Sequence, residues 1–166
     1  MSSALVPVAA SATDDEVVAA LYPELRRFAA MVASADLDPD DLVQEALSNV
    51  LRGGSLDALD NPGAYLRRTI VNLEHSHRRR WARWRERLPR LATADRCDPA
   101  YPSDIGLLEV LAPADRALLY LTAVEGMPYA AVADLLGGTE QTLRARASKA
   151  RARLRRVLAD GDAPPT

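Results

Sequence analysis

A strongly basic helix near the end of the chain constrains the fold more than any other feature of the sequence. Residues 144–156 include seven basic side chains and no acidic one. Apolar residues recur at helical spacing through the same stretch, so one face can enter a core while the other faces stay charged. A solvated helix that closes a bundle is the alternative, but uncompensated like charges repel one another, which favours a polyanionic partner such as DNA. The apolar stripe consists of Leu143, Ala147, Ala150, Leu154 and Leu158.

The residues before this helix complete a helix-turn-helix pattern. Residues 129–136 predict a short helix, Gly137-Gly138 predicts a tight break, and Thr139 can cap the basic helix. The second helix of such a unit enters the major groove, where its first residues meet base edges and its basic residues meet phosphates. The predicted DNA contacts are Thr139, Glu140, Gln141, Thr142, Arg144, Arg146, Lys149 and Arg151.

Helical spacing and helix-start signals recur in the rest of the chain. Asp38-Pro39 and Asn61-Pro62 each combine a capping side chain with a proline suited to the first helical position. We therefore expect an all-α chain of two small helical domains joined by a flexible linker, the second a four-helix helix-turn-helix domain. The predicted division is a disordered tail at 1–13, a first domain at 14–91, an aperiodic linker at 92–104, the second domain at 105–158 and a disordered tail at 159–166.

The net charge of −2 conceals alternating acidic and basic blocks. Residues 1–66 contain eleven acids and three bases, whereas residues 67–96 contain ten arginines and three acids. A uniformly solvated surface would mix the two signs more evenly. The blocks therefore predict a second polyanion-facing surface, in the first domain.

The residue content gives no support to several classes of function. Cys97 is the only cysteine, which excludes an internal disulfide and a cysteine-clustered zinc site. His75 and His77 lack further ligand-type partners, so we predict no metal site and no cofactor. No Ser-His-Asp set or phosphate-binding glycine loop appears, and an enzyme is not expected. No apolar run approaches the roughly 20 residues that span a bilayer, and the N-terminus is a poor signal peptide, so we expect a cytoplasmic protein.

Three stretches, in order and spacing, resemble a known family. They are Asp-Asp-Leu-Val-Gln-Glu at 40–45, Tyr-Leu-Arg-Arg-Thr-Ile-Val-Asn-Leu at 65–73 with three arginines at 78–80, and residues 111–156. Together they are similar to the extracytoplasmic-function sigma factors of bacterial RNA polymerase. The resemblance implies a dissociable transcription-initiation subunit whose partners are core RNA polymerase, promoter DNA and an anti-sigma protein.

The resemblance also implies a role for each stretch. Asp41, Gln44 and Glu45, which share a helix face by their spacing, would bind the clamp helices of the largest polymerase subunit. The loop at 53–61 would capture a flipped base, and residues 139–151 would read the minus-thirty-five element. The residues implied to bind the minus-ten element are Arg67, Arg68, Asn72, Arg78, Arg79 and Arg80.

The two tryptophans admit two interpretations. Trp81 and Trp84 can stack on bases, but their helical spacing with Leu73, His77 and Leu88 favours packing in a core.

Two rival functions stay open, and one residue departs from the family pattern. The rivals are a stand-alone helix-turn-helix regulator, against which residues 38–73 argue, and a sigma-like decoy that titrates an anti-sigma protein. Gly138 stands where the family usually has a bulkier residue, which predicts a looser turn.

Overall fold

A computed structural model describes residues 12–87 and 108–161 of the chain, and within these two ranges it contains six α-helices and no strand. The all-α prediction is therefore confirmed. The predicted linker lies outside the described residues, as do most of the two predicted tails. The helices are α1 (Ala12–Val32), α2 (Pro39–Gly53), α3 (Pro62–Arg87), α4 (Pro113–Ala123), α5 (Tyr129–Leu136) and α6 (Glu140–Gly161).

Helices α2 and α3 begin at the prolines where the sequence predicts helix starts. The carboxylate of Asp38 accepts a hydrogen bond of 2.7 Å from the backbone N–H of Asp40, and Pro39 is the first residue of α2. The side-chain oxygen of Asn61 accepts one of 2.9 Å from the backbone N–H of Ala64 at the start of α3. Each cap satisfies a backbone donor that the first helical turn leaves without a partner.

Helices α1, α2 and α3 form the first bundle. Each contributes one apolar stripe to a shared core in which Phe28, Val43 and Ile70 are fully buried. The opposite side of α2 carries the polar residues, because its buried positions recur at spacings of three and four.

Helices α4, α5 and α6 form the second bundle around Leu118, Leu121, Val132 and Leu143, all fully buried. Three helices of the predicted four-helix domain thus lie in the described residues. A 3-10 turn at 108–110 precedes them.

The two bundles pack against each other through α4, which lies on α1 and α3. The ring of Tyr120 on α4 meets the ring of Phe28 on α1 edge-on, with the centroids 5.8 Å apart. Most of the buried apolar residues of the two bundles therefore belong to one continuous cluster. This packing decides which side chains of α3 face solvent.

Candidate nucleic-acid and protein interfaces

The outer face of α2 carries the three residues predicted to bind a protein partner. Asp41, Gln44 and Glu45 are all exposed, on the side opposite the buried stripe. The Glu45 carboxylate lies 2.9 Å from Nε2 of His77, which joins this face to α3. The result is an acidic and polar patch on a rigid helix.

Contacts from α1 hold α2 in place. The hydroxyl of Tyr22 donates a hydrogen bond of 2.7 Å to Asp40, and the guanidinium of Arg26 lies 2.9 Å from the same carboxylate. The hydrogen bond from Tyr22, with the help of Arg26, holds the pKa of Asp40 below its ordinary value. In the sequence analysis Asp40 appears only in the stretch at 40–45, and this contact with α1 is not predicted.

Five of the six residues predicted on α3 for the minus-ten element are exposed: Arg68, Asn72, Arg78, Arg79 and Arg80. Arg67 differs, because its side chain is only 13% exposed. Its Nη2 lies 3.2 Å from Glu24 on α1 and 3.2 Å from Glu125, which follows α4. In this arrangement Arg67 joins the two bundles and is not available to a DNA strand.

The core-packing interpretation of the tryptophans is wrong. Trp81 is 38% exposed and Trp84 is 53% exposed. The last buried side chain of α3 in the described residues is Glu74, and beyond it the helix extends past the bundle. The spacing of the tryptophans matched a core stripe, but no other helix within residues 12–87 and 108–161 reaches that far along α3.

The loop between α2 and α3, the predicted base pocket, is fixed to α1. The carboxylate of Asp14 is buried and accepts hydrogen bonds from the Ser55 hydroxyl, at 2.6 Å, and from the backbone N–H of Leu56, at 2.8 Å. The side chain of Leu56 is fully buried. Asp57, Ala58 and Asp60 in the same loop are exposed.

The turn of the helix-turn-helix unit has a backbone that favours glycine. Gly137 has φ of 81° and Gly138 has φ of 112°, both in the left-handed region that other residues rarely adopt. Thr139 then caps α6, since its hydroxyl accepts a hydrogen bond of 3.2 Å from the backbone N–H of Thr142. The positive φ at position 138 therefore explains why a glycine stands there.

The start of α6 presents the residues predicted to face base edges. Glu140, Gln141 and Thr142 are exposed. Arg144 is exposed as well, and its Nε donates a hydrogen bond of 3.1 Å to Glu140 one turn earlier. Its guanidinium also lies 5.1 Å from the ring centre of Tyr129 at the start of α5.

Among the predicted phosphate contacts on α6, Arg146 and Arg151 already have partners. Arg146 lies 2.7 Å from Asp115 on α4, and Arg151 donates a hydrogen bond of 2.9 Å to the hydroxyl of Tyr129. Lys149 is exposed. Arg146 therefore braces α6 against α4, a role that sequence reasoning missed.

Sequence reasoning also missed a buried ionic contact between the bundles. Arg116 on α4 lies 3.6 Å from the fully buried carboxylate of Glu74 on α3. The Ser34 hydroxyl donates to the same carboxylate, and Arg116 donates a hydrogen bond of 2.9 Å to the carbonyl of Ala33. Burial lowers the pKa of Arg116, against the opposing effect of Glu74. Two features of the sequence could have indicated this contact. Glu74 follows Ile70 by four residues on the core stripe, and Arg116 is the only basic residue in 97–143.

Neither a metal centre nor a membrane span is found in the part of the chain that the structure describes. No group of three histidine, cysteine, aspartate or glutamate side chains there is arranged to hold an ion. No described helix is both long and apolar enough to cross a bilayer.

Comparison with known families matches both bundles. Residues 17–85 match the family described as Sigma-70 region 2, and residues 105–154 match Sigma-70, region 4. Among solved structures, the chain is similar to one in the co-crystal structure of the sigma factor RpoE in complex with the anti-sigma factor NepR from Bartonella quintana. The two share 24% identity over 87% of this chain and 96% of that chain, with a TM-score of 0.68. No match was found among curated proteins.

A region 2 followed by a region 4 defines the class of RNA polymerase sigma factors. The chain belongs to the sigma-70 family, and within it to the extracytoplasmic-function type.

Proposed function

We propose that this chain is an alternative sigma factor that binds core RNA polymerase through α2 and directs it to promoters through α3 and α6. The observation that carries the proposal is the separation of three surfaces, one acidic and polar and two basic. An acidic and polar face lies on α2, and two strongly basic helices belong to the two matched regions.

The face of α2 suits a basic helical partner. Asp41, Gln44 and Glu45 offer carboxylate and amide groups within two turns, and the contact between Glu45 and His77 keeps one of them oriented. Charge complementarity of this kind speeds association and fixes the register of two helices. In the family, the partner with this chemistry is the pair of clamp helices of the largest polymerase subunit.

The surface of α3 suits a separated DNA strand. Melting a promoter unstacks base pairs at roughly 1.4 kcal/mol per step, so the opened strand needs compensating contacts. Arg68 and Asn72 lie exposed on α3, and the loop before it is held at both Ser55 and Leu56 by Asp14. We propose that this loop receives a flipped base while the arginines of α3 neutralise the strand's phosphates.

The start of α6 suits the edges of duplex base pairs. Glutamine pairs with adenine, glutamate accepts from cytosine and arginine pairs with guanine. We propose that Glu140, Gln141 and Arg144 read the minus-thirty-five element together with Thr139 and Thr142. Lys149 and the neighbouring bases would contact phosphates, which adds affinity without sequence preference.

We also propose that an anti-sigma protein regulates the chain. Support comes from the similar RpoE, which was crystallised with the anti-sigma factor NepR. A pull-down from the native host is expected to recover one small stoichiometric partner. Recovery of polymerase without such a partner would contradict this part of the proposal.

The test compares two chemically matched double variants in binding to core RNA polymerase. Gln44→Ala/Glu45→Ala removes a glutamine and a glutamate from α2, and Glu140→Ala/Gln141→Ala removes the same two residue types from α6. We expect the first variant to lose polymerase binding. The second should keep polymerase binding but lose transcription from a cognate promoter.

Other outcomes would favour the rival functions. A wild-type chain that binds duplex DNA but not polymerase would be a stand-alone regulator. A chain that binds an anti-sigma protein but supports no transcription with polymerase would be a titrating decoy. Equal polymerase binding by wild type and the α2 variant would reject the proposed docking face.

A further inference from the structure

The side chain of Tyr129 contacts two basic residues of α6 that have different proposed roles. Its ring centre lies 5.1 Å from the guanidinium of Arg144, the proposed guanine reader. Its hydroxyl accepts a hydrogen bond of 2.9 Å from Nη2 of Arg151, a predicted phosphate contact. Arg144 and Arg151 are seven residues apart, or about 10 Å along one face of the helix. One tyrosine therefore lies along two turns of the helix that is proposed to enter the major groove.

Tyr129 is itself held firmly by the second bundle. It is the first residue of α5, half-buried and packed against the continuous apolar cluster. The turn before it is fixed, because the backbone N–H of Met127 donates a hydrogen bond of 2.9 Å to the carbonyl of Leu121 on α4. A tyrosine has only two side-chain torsions, whereas an arginine side chain is long and flexible. The ring is therefore a rigid support for a flexible arginine.

The contacts of Arg144 orient its guanidinium without covering the edge that would meet a base. Nε and Nη2 of Arg144 both donate to the same carboxylate oxygen of Glu140. The ring of Tyr129 lies within the roughly 6 Å at which a guanidinium interacts with an aromatic face. Neither contact uses Nη1, and guanine offers two acceptors, N7 and O6, that Nη1 and Nη2 can meet together. The second carboxylate oxygen of Glu140 can still accept from cytosine, as proposed above.

We propose that Tyr129 is a positioning residue that sets the specificity of α6 for its DNA element. It acts through Arg144, whose guanidinium it holds in one orientation, and it does not itself touch a base. A freely turning arginine can find acceptors on a wrong base, whereas an arginine held in advance cannot turn to them. The hydroxyl of Tyr129 orients Arg151 toward a phosphate, which adds affinity without sequence preference. The inference rests on the proposed reading of the minus-thirty-five element by α6, and it adds a residue of α5 to that site.

The test measures the base preference of the complete holoenzyme. The full chain is assembled with core RNA polymerase and mixed with duplex promoter fragments in which the minus-thirty-five element is randomised, and the bound fragments are sequenced. Arg144→Ala identifies the base pair that Arg144 reads, as the position at which the wild-type preference disappears. An arginine–guanine contact discriminates about tenfold or more, and we expect Tyr129→Leu to lower that preference about threefold.

Tyr129→Phe is the matched control, because it keeps the ring and removes the hydroxyl. The preference at the base pair read by Arg144 should stay that of wild type. Binding to all sequences should weaken by about twofold, because only the hydrogen bond to Arg151 is lost. Thermal unfolding checks that each variant is folded. If the leucine variant does not fold, Tyr129→Met fills similar space without an aromatic face and gives the same test.

A double variant shows whether Tyr129 acts through Arg144. Tyr129→Leu/Arg144→Ala should have the same base preferences as Arg144→Ala alone. A further change of preference in the double variant would mean that Tyr129 contacts a base directly. Weaker binding of Tyr129→Leu to all sequences, with unchanged preference, would mean that the residue only supports the fold. Each of these two results overturns the inference.

The same experiment separates this inference from the proposed function. If the wild-type holoenzyme selects a sequence and Tyr129→Leu selects it equally well, the inference fails and the proposed function stands. If Arg144→Ala also keeps every preference of wild type, Arg144 reads no base and Tyr129 has nothing to position. A wild-type holoenzyme without any preference in the randomised element would contradict the proposed reading of DNA by α6, and the inference would fail with it.

Discussion

Arg116 of α4 lies 3.6 Å from Glu74 of α3, and the two side chains are 2% and 0% exposed. The contact joins the two sigma regions in the part of the molecule where neither charge can reach water. The Nε atom of Arg116 and the Oε2 atom of Glu74 have no hydrogen-bond partner in the described residues. An ion pair buried in this way adds little net stability, because the cost of removing both charges from water offsets their mutual attraction.

Removing one member of this pair is expected to destabilise the protein strongly. Glu74→Ala leaves the Arg116 charge buried without its counter-ion, which costs about 3 kcal/mol. The double variant Glu74→Leu/Arg116→Met replaces both charges by apolar groups and should lie within about 1 kcal/mol of wild type. Urea denaturation followed by circular dichroism measures both. If the two variants lost equal free energy of unfolding, altered packing rather than the unpaired charge would be the cause of the loss.

The contact between Arg67 and Glu125 should influence the fraction of molecules in which the two bundles separate. Glu125→Ala removes the interaction between bundles, while Glu24→Ala removes the matched one within the first bundle. A partly exposed pair contributes about 0.5–1 kcal/mol, so Glu125→Ala should increase the separated population about two- to fivefold. Glu24→Ala should not.

This separation can be measured by electron-spin distance spectroscopy. Spin labels at the exposed positions Ser48 and Ala152 report on the two bundles, in a background in which Cys97 is replaced by serine. Identical distance distributions for the two glutamate variants would contradict the prediction.

The hydrogen bond between Tyr22 and Asp40 predicts a defined pH dependence of stability. Because the folded-state pKa of Asp40 is lowered, its stabilising effect is complete above the ordinary aspartate value of about 3.9. The effect is lost as the pH falls through the lower folded value. The difference in free energy of unfolding between wild type and Tyr22→Phe should therefore shrink below about pH 4. For Tyr65→Phe, at an exposed tyrosine, a pH-independent difference is expected.

Gly138→Ala tests whether the turn before α6 needs glycine. A Cβ at this position would meet no atom within 4 Å, so any cost comes from the positive φ of 112°. The expected loss is about 1–2 kcal/mol in the free energy of unfolding. Gly53→Ala, at the end of α2 and equally free of contacts, should be neutral or stabilising. Equal thermal unfolding temperatures for the two alanine variants would show that the positive φ at position 138 does not cause the loss of stability.

Salt dependence should separate phosphate contacts from base contacts on α6. If the polymerase holoenzyme neutralises about six phosphates, log affinity for a promoter should fall with log salt at a slope near −5. Lys149→Ala should reduce the magnitude of that slope by about 0.9 and leave promoter preference unchanged. Gln141→Ala should alter promoter preference and leave the slope as it is. A flat salt response in the wild type would contradict the picture of phosphate binding.

Local features of the chain could be predicted because they depend on residues a few positions apart. Asp38-Pro39 and Thr139 start their helices through hydrogen bonds within the first turn, so the sequence alone indicates them. The exposure of Asp41, Gln44 and Glu45 follows from helical periodicity once the apolar stripe is known.

Contacts between distant segments could not be predicted in the same way. Arg67 and Asn72 look alike as strand-binding candidates, yet only Arg67 is held between two glutamates that lie 43 and 58 residues away. Trp81 and Trp84 have core spacing, but spacing cannot say how far the neighbouring helices reach.

The sequence by itself thus determined the helices, the side of α2 that faces solvent and the turn before α6, because capping, periodicity and backbone conformation act over a few residues. The tertiary structure decided that Arg116 meets Glu74, that Arg67 joins the bundles and that the tryptophans are exposed. Each of these depends on which helices pack together, and packing is fixed by the whole apolar core rather than by any local stretch.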